Sequence, residues 1–390
     1  QLTQLVELYL GSHNDGNLLE YDPSLALDQS LTERSRNRME NHRKYLALIH
    51  PATQVSEPLA RMMLEDGKHL PCNALYEEGF SENEVMDPTT GRQKRIRPMD
   101  IVHGKLTNGL KSLPKEIGNL KNLEYLFIAN GELTELPEEV TQLESCTDIE
   151  LYNCPKMTKF PMALVKMPKI ISLNISNNSQ WSSEEIYKGL DALANGPSKE
   201  VIQILYSREN SLVEVPESFR NLKKIGKIDF SSNKITTLHP LGKEVAPVQL
   251  NLDNNLIEEI PVDADGIFCG TDDMETFSVT YNKLKEFPNI FTSKTKYTMG
   301  TVDFSYNEIT GFPADFKGIN VTTLTLSCNP ITKYPKCLGD TNSFLGYIIL
   351  RGCQIDEIPE GSFKSKYSPS LISFDLSYNR LTKLPKDFTA

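Results

Sequence analysis

One short pattern recurs along most of the 390 residues, and this feature constrains the fold more than any other. The clearest copy reads L-x-x-L-x-L-x-x-N-x-L-x-x-L-P, with phenylalanine in place of one leucine, and consists of Leu371, Phe374, Leu376, Asn379, Leu381, Leu384 and Pro385. The same frame begins at eleven further positions, which are Leu5, Leu123, Cys146, Ile170, Val201, Ile225, Pro247, Met274, Met299, Val321 and Leu345. A period of this kind indicates an array of stacked supersecondary units.

The chemistry of the pattern explains how the copies stack. The fourth and sixth positions lie on one side of a short strand, where they fill the core, and the residue between them faces the other side. A later apolar residue, such as Leu384 or Phe312, closes the core from the returning limb. Because one copy cannot bury its apolar face alone, the copies stack with their strands about 4.8 Å apart in a parallel sheet. The sequence therefore predicts an α/β leucine-rich-repeat solenoid, right-handed and curved, with the sheet on its concave face and irregular, 3-10 or helical return limbs.

Two regions interrupt the period. We expect a strand segment in residues 1–14, a mainly helical insertion in residues 15–105, and a solenoid of about eleven repeats in residues 106–390. Within the insertion, helical spacing runs from Leu31 to Ile49 and again over residues 57–66. The second interruption predicts a helix that follows Ser182 and ends at Gly196. Trp181, directly before it, is either a binding anchor or a cover for the edge of the core.

The ninth position of the frame forms a column of asparagines, consisting of Asn178, Asn233, Asn255, Asn282, Asn307, Asn329 and Asn379. Such a column resembles a recognition device. A buried amide also bonds backbone groups where the chain turns away from a strand, and we expect this structural role instead. Cys154 and Cys353 occupy the same column, and we expect both to be buried structural thiols.

The outward positions of the strands provide the candidate partner-binding residues. One predicted cluster is aromatic and consists of Tyr125, Phe127 and Tyr152; a second is mixed and consists of Asp229, Tyr281, Asp303, Ser305 and Tyr306. Exposed aromatic residues are enriched in interface hot spots. The alternative is that the tyrosines only pad the edge of the sheet. The frame also places Leu205 and Ser207 on this face, and it makes Ser305 an exposed residue.

The sequence contains none of the common catalytic motifs, such as a phosphate-binding glycine loop, a zinc-binding H-E-x-x-H or a G-x-S-x-G elbow. The seven cysteines include no C-x-x-C pair, and the six histidines show no ligand spacing, so we expect no metal and no cofactor. A net charge of -11 disfavours nucleic acid as a partner. No apolar run approaches the ~20 residues that cross a bilayer.

These features predict a non-catalytic, monomeric binding module that recognises a protein or a glycan through the concave face. The alternative is a structural spacer within a longer surface protein. Both ends of the chain fall inside repeats, whereas solenoids need polar caps. We therefore expect the chain to be part of a longer protein, or its caps to be unusual.

Several segments carry a closer resemblance. "LNISNN", "FSYNEITGFP", "FKGINVTTLTLSCNPITKYPK", "LSYNRLTKLPKDF" and the opening "LTQLVELYLGSHND" resemble the secreted leucine-rich-repeat proteins of Bacteroidetes gut bacteria. The match covers residues 1–14 and about 106–390. The resemblance implies a secreted or surface-anchored, extracytoplasmic protein. It implies no enzymatic activity and supplies no functional residues.

Overall fold

The computed structural model describes residues 7–11, 85–86, 93–94, 110–129, 131–265, 267–270, 274–288, 290, 299–313, 316, 321–339, 345–362 and 371–386. The chain divides into two compact units. The larger unit comprises Gln1–Leu8, Ser112–Leu126 and Thr134–Ala390. The smaller unit comprises Tyr9–Lys111 and Phe127–Leu133.

The strands are short, as the repeat requires. In chain order they are β1 (Glu7–Gly11), β2 (Val85–Met86), β3 (Gln93–Lys94), β4 (Tyr125–Ala129), β5 (Asp148–Tyr152), β6 (Ser172–Asn174), β7 (Ile204–Tyr206), β8 (Lys227–Asp229), β9 (Gln249–Asn251), β10 (Thr276–Ser278), β11 (Met299–Asp303), β12 (Val321–Thr325), β13 (Tyr347–Ile349) and β14 (Ser373–Asp375). Each of the twelve segments that the repeat predicts as a strand contains one.

Within the larger unit, strands β5 to β14 pair in parallel and in chain order. The register aligns equivalent positions of successive repeats, so Phe277 lies opposite Val302 and Ser278 opposite Asp303. The sheet is curved and open. This arrangement confirms the predicted leucine-rich-repeat solenoid, and it sets the side chains of each outward column beside one another.

Six 3-10 helices lie on the return limbs within the described residues, at Lys115–Asn119, Glu138–Gln142, Leu164–Lys166, Pro197–Glu200, Glu217–Asn221 and Lys336–Gly339. The predicted α-helix is present as α1 (Ser183–Asn195), and its N-cap Ser182 accepts a hydrogen bond from the backbone N–H of Glu185 at 3.2 Å. Trp181 is buried, with its ring centroid 5.3 Å from that of Phe160. It therefore covers the core and is no exposed anchor.

The core lies between the sheet and the return limbs. Leu324 and Leu326 on β12 and the adjoining turn are fully buried, as the frame requires, and Cys154 and Cys353 of the asparagine column are buried as well. In the last repeat, Leu376 is only half-buried because β14 has a paired strand on one side among the described residues.

The predicted frame is wrong by one residue at β7. Leu205 pairs with the core residue Leu173 and is fully buried, and Ser207 is buried as well. The true frame begins at Ile202 and reaches the asparagine column at Asn210, whose Oδ1 accepts the backbone N–H of Asn178 at 2.7 Å. A shift of one residue moves every side chain of a strand to the opposite face. The second core position here is serine, which hides the correct frame.

The predicted insertion in residues 15–105 lies almost wholly outside the described residues, and so do its two predicted helices. Its described part is an antiparallel pair of strands, β2 and β3, with Val85 opposite Lys94. These strands fall within the insertion that the sequence predicts to be mainly helical.

Candidate binding groove

The asparagine column joins each repeat to the one before it. Asn307 is representative: its Oδ1 accepts the backbone N–H of Leu284 at 3.0 Å, and its Nδ2 donates to the carbonyls of Val279 at 2.8 Å and Phe304 at 3.0 Å. The two bonds to the preceding repeat, one at Oδ1 and one from Nδ2, recur at Asn178, Asn233, Asn255, Asn282, Asn329 and Asn379. The amides are therefore used inside the protein, which is the structural role expected from the sequence.

The residue directly before the asparagine column has a left-handed backbone. We call these residues the turn column, and their φ angles lie between 47° and 66° at Asn153, Asn177, Glu209, Ser232, Asn254, Tyr281, Tyr306, Cys328, Gly352 and Tyr378. The conformation lets the N–H of one turn residue bond the next repeat, as from Tyr306 to the carbonyl of Ser327 at 2.8 Å. The fold therefore demands this backbone in each of these repeats.

Tyrosine is a poor choice for such a position. Asparagine and glycine tolerate the left-handed region, whereas for other residues it costs roughly 1–2 kcal/mol. Asn153, Asn177, Asn254 and Gly352 follow that preference, whereas Glu209, Ser232, Cys328 and the three tyrosines do not. Strain of this kind concentrates at functional sites, and the tyrosines add a large exposed ring to it.

The tyrosines of the turn column border a groove of about 770 Å³ on the outward face of the sheet, the face opposite the core. The turn column supplies Tyr281, Tyr306, Cys328, Gly352 and Tyr378 to the groove. The strands and the residues that follow them supply Ser278, Asp303, Asp253, Thr280, Ser305, Ser327 and Arg351. The groove thus combines aromatic rings with carboxylates, hydroxyls and one guanidinium group.

Tyr281 and Tyr306 form a parallel stack at one side of the groove. Their ring centroids are 4.2 Å apart and their planes differ by 7°. They remain 55% and 45% exposed, so the stack projects into solvent. Contact with the Cys328 thiol, and then with Tyr281, raises the pKa of the Tyr306 hydroxyl to about 12. The Tyr306 ring therefore presents a neutral phenol at neutral pH.

On several strands the residue between the two core positions accepts a hydrogen bond from the backbone N–H two residues further on. On β11 the Oδ1 of Asp303 accepts the backbone N–H of Ser305 at 2.9 Å, and Asn251 on β9 accepts that of Asp253 at the same distance. Asp229 on β8 bonds Ser231 in this way. Asparagine and aspartate therefore serve the turn equally well, and the carboxylate of Asp303 is not required by the fold.

Asp229 does not belong to the groove, contrary to its predicted grouping. It is buried, and its Oδ2 lies 3.6 Å from Nε of Arg208 while its Oδ1 bonds Ser231. Both carboxylate oxygens are engaged within the chain. Ser305, expected to be exposed, lines the groove but is only 4% exposed.

The carboxylates that do line the groove are held in place. Asp253 accepts the Ser278 hydroxyl and the Thr280 backbone N–H, each at 2.6 Å, through the same oxygen. Burial raises the pKa of the Asp303 carboxyl, and repulsion from Asp253 adds to this effect. The two carboxylates therefore lie close enough to repel each other.

A cation of the chain itself, Arg351, lies on the other side of the groove. The guanidinium of Arg351 lies over the ring of Tyr378, 4.6 Å from the ring centroid. Hydrogen bonds from Ser377, and then the charge of Arg351, lower the pKa of the Asp375 carboxyl. Between the Arg351–Tyr378 pair and the tyrosine stack, the turn column carries two small residues, Cys328 and Gly352, which keep the groove open.

The predicted aromatic cluster is not an exposed surface. Tyr125 and Phe127 are 5% and 3% exposed, and only Tyr152 is half-buried. The Tyr125 hydroxyl donates to Oε1 of Glu150 at 2.6 Å, and Glu150 is itself buried. Every residue of β4 is buried, and β5 is buried at each position except Tyr152, so these strands offer little accessible surface for a partner.

Sequence reasoning brought together Tyr281, Asp303, Ser305 and Tyr306, which line one groove. It did not select Asp253, Arg351 or Tyr378. A signal was present, because Arg351 and Tyr378 occupy neighbouring columns in consecutive repeats. Within the described part of the chain, no group of three His, Cys, Asp or Glu residues is placed to hold a metal ion. Within the same residues, no helix is long and apolar enough to span a membrane.

Comparison with known proteins yields relatives in both solved structures and curated proteins, but no protein-family model matches the chain. The chain is similar to a leucine-rich repeat protein from Bacteroides thetaiotaomicron VPI-5482, with 31% identity, a TM-score of 0.71, and coverage of 99% of this chain and 48% of that one. A leucine-rich repeat protein from Bacteroides eggerthii DSM 20697 gives 31% identity, a TM-score of 0.66, and coverage of 86% and 60%. Lumican from Bos taurus is 29% identical over 180 residues, which are 45% of this chain and 49% of lumican. The chain thus spans about half the length of the curated relative and of the first structure.

Proposed function

We propose that this chain, a leucine-rich-repeat protein similar to two from Bacteroides, is a non-catalytic module that binds a protein or glycan partner in the groove on its outward face. In a solenoid of this type, that face is the concave side of the sheet. The resemblance to secreted proteins of Bacteroidetes supports an extracytoplasmic location, and a partner outside the cytoplasm follows from it.

The stacked pair Tyr281 and Tyr306 carries this proposal. Two large aromatic rings are exposed side by side at positions where the backbone favours asparagine or glycine. A structural spacer gains nothing from this choice, since asparagine serves the same turn at Asn254. Exposed tyrosines in a recess are typical anchors of binding interfaces.

The groove is also preorganised. Its residues lie on paired strands and on turns tied by the asparagine column, and Asp253 and Asp303 are held by hydrogen bonds. A partner therefore loses little of its binding free energy to ordering this surface. Tyr152 belongs to no groove with these residues, and we do not include it.

Capture on immobilised protein tests the proposal. Wild-type protein and the double variant Tyr281→Asn/Tyr306→Asn are compared on arrays of extracellular proteins and glycans. We expect at least one ligand that the wild type retains and the variant loses by roughly tenfold or more, which corresponds to about 1.4 kcal/mol. Asparagine keeps the backbone of the turn column, so the variant folds.

Tyr347→Thr is the matched control. Tyr347 is 39% exposed on the same face and lies outside the groove, and threonine occupies the equivalent positions of β10, β11 and β12. Ligands that all variants retain equally would contradict the groove as the binding site. An absence of any ligand on either array would favour a structural spacer.

A further inference from the structure

We propose that the groove recognises a cationic side chain, arginine or lysine, in a basic segment of a protein partner. The inference rests on the proposed function and specifies its ligand. The partner's cation would contact the tyrosine stack and pair with the carboxylates of Asp253 and Asp303.

Two other tyrosines on the outward face already hold a cation of the chain itself. Lys227 lies over the ring of Tyr206, with its Nζ 5.3 Å from the centroid, and Arg351 lies over Tyr378 at 4.6 Å. Each of these cations comes from a neighbouring repeat. Attraction between a cation and an aromatic face contributes about 0.5–1 kcal/mol at exposed sites and more where water is excluded.

The tyrosine stack lacks such a cation. Among the described residues, no lysine or arginine lies over Tyr281 or Tyr306. Their mutual contact occupies one face of each ring, and the rings are 55% and 45% exposed. The stack therefore presents tyrosine rings like those of the two internal pairs, but among the described residues it has no cation over them.

The two carboxylates of the groove, Asp253 and Asp303, also lack a cation among the described residues, unlike other carboxylates on the outward face. Asp229, outside the groove, lies 3.6 Å from Arg208, and Asp375 is close to Arg351. Asp253 and Asp303 form no ion pair within the described part of the chain. Burial of Asp303 makes its unneutralised charge costly, and a cation placed beside both carboxylates offsets that cost.

The balance of charge points the same way. On the outward positions of β9 to β14 and their turns, the charged side chains are Asp253, Asp303, Asp375 and Arg351, which leaves an excess of negative charge. The hydroxyls of Ser278 and Ser327 add polar groups to the lining. This lining complements a guanidinium or an ammonium and repels an acidic ligand.

Fluorescence anisotropy with a labelled peptide tests the inference on the full chain at physiological ionic strength. The probe is a short peptide in which arginine alternates with serine. In the reference peptide, citrulline replaces arginine, which keeps the shape and removes the charge. We expect the citrulline peptide to bind at least about tenfold more weakly, because it lacks the charge that pairs with the carboxylates.

The protein variant for this test is Asp253→Asn/Asp303→Asn. Asparagine retains the acceptor oxygen of both turns, as Asn251 shows at the position equivalent to Asp303. The control Glu135→Gln/Asp356→Asn removes two exposed carboxylates outside the groove and gives the same net charge. We expect a loss of about tenfold or more in the first variant and less than about twofold in the second.

Equal losses in both variants, or equal binding of the two peptides, would overturn the inference, since either result means nonspecific attraction or no role for charge. Retention of neutral oligosaccharides that depends on Tyr281 and Tyr306, without binding of the arginine peptide, would also overturn it. That last result leaves the proposed binding function intact, so the two failures are distinguishable.

Discussion

Replacing Asn307 with alanine removes a side chain whose contacts can be counted. Its Oδ1 accepts the N–H of Leu284, and its Nδ2 bonds the carbonyls of Val279, Phe304 and Ser305. The carbonyl of Phe304 keeps a second donor in the Nδ2 of Asn329, and that of Ser305 keeps the N–H of Tyr281. Two backbone groups, the N–H of Leu284 and the carbonyl of Val279, thus lose their hydrogen-bond partner. Because a buried unpaired group costs about 1–3 kcal/mol, and relaxation admits some water, we expect a loss of about 3 kcal/mol in the free energy of unfolding.

Urea unfolding provides the assay. Trp181, the only tryptophan, is buried, so its fluorescence reports the loss of packing, and far-UV circular dichroism reports the sheet. The control is Glu308→Ala at the next residue, which is exposed and should change the free energy of unfolding by less than about 0.5 kcal/mol. Similar small effects in both variants would refute the structural role of the asparagine column.

Three further predictions concern single sites. Gly352→Ala should lower the free energy of unfolding by roughly 1 kcal/mol in the same urea assay, because φ is +66° and the new Cβ lies 3.3 Å from the Cys328 Sγ. An unchanged midpoint would contradict the strain. Burial raises the pKa of the Cys146 and Cys269 thiols to about 12, so iodoacetamide at pH 8 should label exposed Cys328 and spare these two, as read by peptide mass spectrometry; labelling of all three at one rate would contradict their burial. Hydrogen bonds from Ser377 hold the pKa of Asp375 below its ordinary range, so its contribution to stability is present above the pKa of a free aspartate and is lost as pH falls through the lower folded pKa. Asp375→Asn should therefore reduce the pH dependence of the urea midpoint in that acidic window, and an unchanged dependence would count against the shift.

The repeat period predicted the sheet well because the need to bury each repeat's apolar face determines how the strands pair. Each copy has an apolar face that only its neighbours can cover, so the strands from β5 to β14 follow directly. The period failed at β7, where Ser207 occupies a core position and its hydroxyl accepts from the buried Asn210 amide. An apolar pattern cannot identify such a position, whereas the asparagine column does.

The groove was predictable only in part. Column spacing alone sets Tyr281 beside Tyr306 and near Asp303. Which outward residues remain exposed depends on what covers the sheet, and for that reason Tyr125 and Phe127 were misjudged. Asp229 was misjudged because its oxygens are engaged by Ser231 and Arg208, and local pattern does not reveal such pairings.

The rate at which Cys328 is alkylated, with and without bound partner, tests the groove most directly. Cys328 is exposed between Tyr306 and Gly352 on the turn column, and half-buried Cys337, outside the groove, serves as the internal reference. The ligand is the arginine–serine peptide at saturation, or a partner retained in the capture experiment. Occupancy of the groove predicts slower labelling of Cys328 and an unchanged rate at Cys337. A bound partner that leaves the Cys328 rate unchanged would contradict the groove as the binding site.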